Sequence, residues 1–99
     1  KSQEAEVSTR KGIESNPQFA IAHYNLGNLL RDLDKLKDAE LSYRKAIEIS
    51  PNYAKAHYNL GNLLRDLGRL KEAENSYKKL MSIRSWSILG SYGLNAILN

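Results

Sequence analysis

Two histidines, His23 and His57, stand 34 residues apart, and imidazole is the side chain best suited to proton transfer or metal ligation near neutral pH. Neither is accompanied by an Asp or Glu at ligand spacing, so both are expected as packed, hydrogen-bonded residues. Cysteine is absent, which excludes thiol nucleophiles, disulfides and Cys-based zinc sites. The chain has no Gly-rich phosphate loop and no Ser in a His–Asp context. No catalytic residue, metal or cofactor is therefore expected, and the chain reads as non-enzymatic. Recognition is better supplied. Tyr24, Asn25, Asn28, Arg31 and Asp32 recur as Tyr58, Asn59, Asn62, Arg65 and Asp66. An amide side chain offers a donor and an acceptor, so a column of Asn25 and Asn59 matches the N–H and C=O of an extended peptide without reading its sequence. Arg31, Arg65 and Lys55 add attraction for acidic groups, Arg through two parallel hydrogen bonds. Tyr24 and Tyr58 add stiff amphipathic contact area.

These residues belong to a duplicated block. Ala22 to Leu33 recurs unchanged as Ala56 to Leu67, and Pro17 and Pro51 keep the same 34-residue offset. A fixed period of this length marks a stack of like supersecondary units. Ala22, Leu26, Leu29, Leu30 and Leu33 fall at three- and four-residue steps and make one apolar helical face. Leu36, Ala39, Tyr43, Ala46, Ile47 and Ile49 make a second, which Pro51 ends. The binding candidates lie opposite the leucine face, on one stripe of helix. Gly27 in a helix interior costs about 1 kcal/mol relative to Ala, so its recurrence as Gly61 points to close packing, with Ala39 and Ala73 as small partners. Gly68 suits the left-handed residue that ends a helix, and Asp34, its counterpart, tolerates that conformation. Ala5 and Gly12 precede Ala39 and Ala46 by one period. The expected organisation is a second helix and turn over 1–19, full units over 20–53 and 54–84, and a terminal helix over 85–99.

At this point the sequence resembles the tetratricopeptide repeat family. Leu26-Gly27, Leu30, Ala39, Tyr43, Ala46 and Pro51 match its pattern, as do Leu60-Gly61, Leu64, Gly68, Ala73 and Tyr77. The position that usually carries Trp holds His23 and His57. The resemblance implies an all-α, right-handed solenoid of antiparallel helix hairpins, with a concave groove lined by the first helix of each unit. It also implies a protein-interaction module, and the Asn25/Asn59 column resembles the asparagine ladders of peptide-binding superhelices. One subgroup grips a C-terminal carboxylate with a Lys–Asn clamp; Tyr24 and Tyr58 stand where its first Lys would be, which argues against that specificity. The competing reading of the stripe is structural, with neighbouring units bonding to each other, for example Arg31 to Asp66.

The period fails near residue 84. Leu80 replaces a small residue and Ser85 stands where Pro is due, while Trp86-Ser87-Ile88-Leu89-Gly90 resembles another unit start. Residues 85–99 then either turn back as a cap, which repeat stacks need for solubility, or extend the preceding helix and exchange with a second chain as a homodimer. The 99-residue length allows one small domain. The chain does not begin with Met and opens inside a helical pattern, so it reads as part of something longer. No apolar run approaches a membrane span, and the lack of cysteine fits a reducing, cytoplasmic compartment. The net charge of +4 is spread among acids rather than blocked. Helical-repeat RNA readers vary their base-reading side chains between units; identical stripes argue against nucleic acid and for a peptide or protein partner.

Overall fold

The computed structural model describes residues 2–88, which form five α-helices and no strand. They are α1 (Ser2–Ser15), α2 (Ala20–Asp32), α3 (Leu36–Ile49), α4 (Ala54–Asp66) and α5 (Leu70–Ile88). α2 packs against α3 and α4 against α5 as hairpins, and successive units join through α1 with α2 and α3 with α4. The result is an all-α solenoid. Helix α5 continues unbroken through Ser85 to Ile88; the rest of the 85–99 segment expected to cap or exchange, residues 89–99, lies outside the described residues.

The turns follow from local chemistry. Asp34 has φ 63° and Gly68 φ 80°. At the first turn the Asp34 and Lys35 N–H groups donate to the carbonyls of Arg31 (2.9 Å) and Leu30 (2.8 Å). Gly68 and Arg69 donate to Arg65 (3.0 Å) and Leu64 (2.9 Å) in the same way. This is the paired bonding of a Schellman ending, which satisfies the last carbonyls of each first helix. It reverses the chain in three residues and sets each hairpin antiparallel.

A continuous core runs through Leu26, Leu30, Ala39, Tyr43, Leu60, Leu63, Leu64 and Ala73. Gly27 and Ala39 were expected to let two backbones approach. The space over Gly27 is instead filled by the Tyr43 ring, which is fully buried at 0% exposure. A Cβ on Gly27 would lie 2.6 Å from Tyr43 Cε1, and one on Gly61 would lie 2.7 Å from Tyr77 Cε1. Glycine is required at both positions by an aromatic knob, not by helix–helix contact alone.

Ion pairs brace the outer side of each joint. Glu6 accepts from Arg10 (2.9 Å) and Lys35 (3.1 Å). One unit on, Glu40 accepts from Arg44 (2.9 Å) and, through a two-pronged contact, from Arg69 (2.7 and 3.0 Å). Arg69 also donates to Glu72. The Arg69 guanidinium first, with Arg44 adding, holds the Glu40 carboxyl below the ordinary carboxylate range against the opposing effect of burial. Glu6 and Glu72 are lowered for the same reason, by Arg10 with Lys35 and by Arg69 respectively.

Four outcomes are expected. Gly27→Ala and Gly61→Ala should lower stability by about 1–3 kcal/mol, because overpacking against a buried ring outweighs the gain in helix propensity. Gly12→Ala, whose Cβ would meet nothing within 4 Å, should raise stability by about 0.5–1 kcal/mol; denaturant titration of the three variants checks the sign. Leu60→Ala, at a buried core position, should cost about 2–5 kcal/mol in the same assay. The lowered carboxylates contribute stability above their unfolded value of about 4.3, and that contribution fades as pH falls through the folded values. The melting temperature should therefore drop on acidification below about pH 5, and drop less in Glu40→Gln; equal slopes in the two proteins would contradict the ion-pair account.

Candidate functional site

The period places α2 and α4 side by side as first helices, and the recurring polar residues form a stripe along both. Asn25, Asp32, Lys55, Tyr58, Arg65 and Asp66 are exposed, whereas Tyr24, Asn28, Arg31, Asn59 and Asn62 are half-buried. The half-buried members are bonded among themselves. Asn59 donates its two amide hydrogens to Tyr24 Oη (3.0 Å) and to Asn28 Oδ1 (2.9 Å). The Tyr43 hydroxyl also donates to Asn28 Oδ1, and the Tyr77 hydroxyl donates to Asn62 Oδ1. Arg31 reaches across to Asp66 at 2.9 Å, the inter-unit pair that the structural reading of the stripe anticipates. Arg65 Nε lies 3.8 Å from Asp66 Oδ1, an ion pair too long for a hydrogen bond. Lys55 makes no ion pair among the described residues.

Tyrosine rings line this surface. Tyr24 lies 5.1 Å from Tyr53 and 6.0 Å from Tyr43 between ring centroids, and Tyr58 lies 6.5 Å from Tyr77. Burial pushes the Tyr43 phenol up, with Arg31 opposing, and burial also raises Tyr53. Both therefore stay protonated donors at neutral pH. Between the units opens a cavity of about 690 Å³ lined by Tyr24, Ala54, Lys55, Tyr58, Asn59 and Leu80. Its walls are aromatic and aliphatic, with one cation and one amide at the rim. Such a surface can hold a chain by contact and hydrogen bonding; it presents no paired acid and base for bond-breaking chemistry.

The histidines serve the turns. His23 Nε2 lies 2.8 Å from the Pro17 carbonyl, and His57 Nε2 lies 2.8 Å from that of Pro51. A carbonyl only accepts, so the ring hydrogen sits on Nε2 and donates. Each buried imidazole thereby pins the proline turn that enters its own helix. Reading the sequence did not anticipate this pairing, although the six-residue interval from Pro17 to His23 and from Pro51 to His57 carries the signal. The Glu40–Arg69 brace was likewise missed, and its signal is the recurrence of Glu6 and Arg10 as Glu40 and Arg44. Among the described residues no group of three or more His, Cys, Asp or Glu could hold a metal ion, and no helix is long and apolar enough to cross a membrane.

Comparison with known proteins agrees with this geometry. Tetratricopeptide-repeat profiles match residues 9–40 and 54–84, and a TPR-repeat profile matches residues 27–64. No curated protein sequence matches the chain. Among solved structures, the crystal structure of MamA superposes with a TM-score of 0.86 at 25% identity, covering 88% of this chain and 51% of that one. The second TPR of Spaghetti (RPAP3), bound to the HSP90 peptide SRMEEVD, superposes with a TM-score of 0.79 at 24% identity, covering 84% of this chain and 77% of that one. The chain thus spans about half the length of the MamA chain it matches. Stacked helix hairpins of this kind create extended concave surfaces suited to binding. The pattern of Leu, Gly, Ala and Tyr at a 34-residue period, the hairpin stack it builds and the profiles that match it together place this chain in the tetratricopeptide repeat family, as a protein-interaction module.

Proposed function

We propose that the chain holds an extended peptide or protein segment, without catalysis, along the stripe formed by α2 and α4. The observation that carries this reading is which polar groups the stack leaves over. Asn25 is exposed. Asn28 and Asn62 spend their oxygens on Tyr43 and Tyr77, and Asn59 spends its amide hydrogens on Tyr24 and Asn28. What remains is the –NH₂ of Asn28 and Asn62 and the oxygen of Asn59, a set of donors and an acceptor suited to a peptide backbone. The Tyr24–Tyr58 cavity beside them supplies apolar contact. A domain of this fold holds a peptide in the Spaghetti structure, which supports the same use here.

A second reading has its own observation. Arg31–Asp66 and the contacts of Asn59 join α2 to α4, so those members of the stripe also serve the stack itself. On this reading the chain is an assembly module, and its 85–99 segment is the candidate for pairing with a second copy.

Two first helices make a short groove, so an affinity in the micromolar range or weaker is expected. A peptide selected from a random display library on the unaltered chain is the probe. Asn25→Ala should weaken its capture with no change in stability. Adding Asn59→Ala should abolish capture and lower stability by about 1 kcal/mol through the lost inter-helix bonds, with helical content by circular dichroism unchanged. Equal affinity of the double variant would sink the amide ladder.

A further inference from the structure

The first helices of the two units, α2 and α4, differ only at Ile21 and Lys55, and near that difference the second helices differ at Ala46 and Leu80. Lys55 stands one period after Ile21, and Leu80 one period after Ala46. Ala46 is fully buried at 0% exposure, whereas Leu80 is half-buried and forms a wall of the 690 Å³ cavity with Tyr24, Ala54, Tyr58 and Asn59. In the first unit the Tyr53 ring lies against Tyr24. In the second, Tyr58 remains 51% exposed. The larger side chain and the new cation thus occur together, on the walls of one hollow.

The geometry points to a side-chain subsite here. It takes a bulky aliphatic residue of an extended peptide against Leu80, Ala54 and the faces of Tyr24 and Tyr58. An Asp or Glu next to that residue then meets the Lys55 ammonium. This rests on the groove reading above and adds the specificity that the repeated amides do not supply. Charge complementarity fixes the second half of the motif. Lys55 is exposed and unpaired among the described residues. On its own helix the next acid of the stripe, Asp66, lies eleven residues on, about 16 Å along the axis, and is already engaged by Arg31. Neither carboxylate of the stripe, Asp32 or Asp66, pairs with Lys55 among the described residues. The apolar half follows from area: burying one Leu-sized side chain is worth roughly tenfold or more in affinity, enough to dominate a short contact.

The test uses the full chain and four acetylated, amidated heptapeptides of Ser and Gly, whose central pair is Leu-Glu, Leu-Gln, Ser-Glu or Ser-Gln. Binding is followed by heteronuclear NMR shifts and calorimetry. Leu-Glu should bind at least about tenfold tighter than Ser-Gln and shift the Leu80 methyls and the Tyr58 ring. Leu80→Ala should erase the preference for Leu while keeping that for Glu, and Lys55→Gln should do the reverse. Four equal affinities would overturn the subsite and leave the groove reading standing. No binding by any of them at millimolar concentration would also overturn it, with the groove reading still decided by the library-selected peptide. Dilution-dependent shifts at Tyr58 and Leu80 together with a dimer by light scattering would assign the cavity to a second copy and overturn the peptide motif.

Discussion

The oxygen of Asn28 is where three helices meet. It accepts from Tyr43 of α3 and from Asn59 of α4, while its own backbone is part of α2. Those bonds require the Tyr43 ring to lie against α2, and it can do so only because Gly27, one residue away, has no side chain. A buried phenol without a partner would be costly, so the amide oxygen and the glycine act as a pair. One gives the ring its space and the other gives its hydroxyl an acceptor. Hairpin geometry and the spacing between units both follow from this contact, and the polar stripe inherits its layout from them.

The same contact explains why the polar stripe has two tasks. A solenoid unit cannot bury its apolar face alone, so its first helix must bond to the next unit while the rest of its polar surface faces solvent. The amides divide these duties atom by atom: the oxygen of Asn28 and the hydrogens of Asn59 look into the stack, and their opposite ends look out. On the far side of the solenoid, carboxylates shared between arginines do comparable work at the joints, where solvent screening keeps any single pair weak and a linked set gives orientation. The proline turns are closed by histidines, whose ring N–H donates to the carbonyls of Pro17 and Pro51.

Much of this was legible in the chain. The 34-residue period, the leucine faces, the left-handed positions at Asp34 and Gly68 and the family resemblance all come from local patterns that a helix must obey wherever it is placed. The pair Arg31–Asp66 was legible as well, because two residues on neighbouring first helices differ by one period plus one residue. Other features were not. That Tyr43 rather than a helix backbone fills the space over Gly27 depends on how two helices cross, which spacing along one chain does not specify. That Asn59 is partly spent inside the stack depends on the first helix of the preceding unit, α2, lying beside it.

By itself, then, the sequence determined the element types, their order, the faces they bury and the repeating set of polar candidates, since all of these follow from 3.6-residue periodicity and turn chemistry. Only the tertiary structure decided which atoms of those candidates remain available. Hydrogen-bond capacity is shared out among side chains brought within about 3 Å of each other, and that proximity exists only once the helices are stacked. It also decided that Leu80 and Lys55, unremarkable as a pair 25 residues apart in the chain, stand on the rim of one hollow.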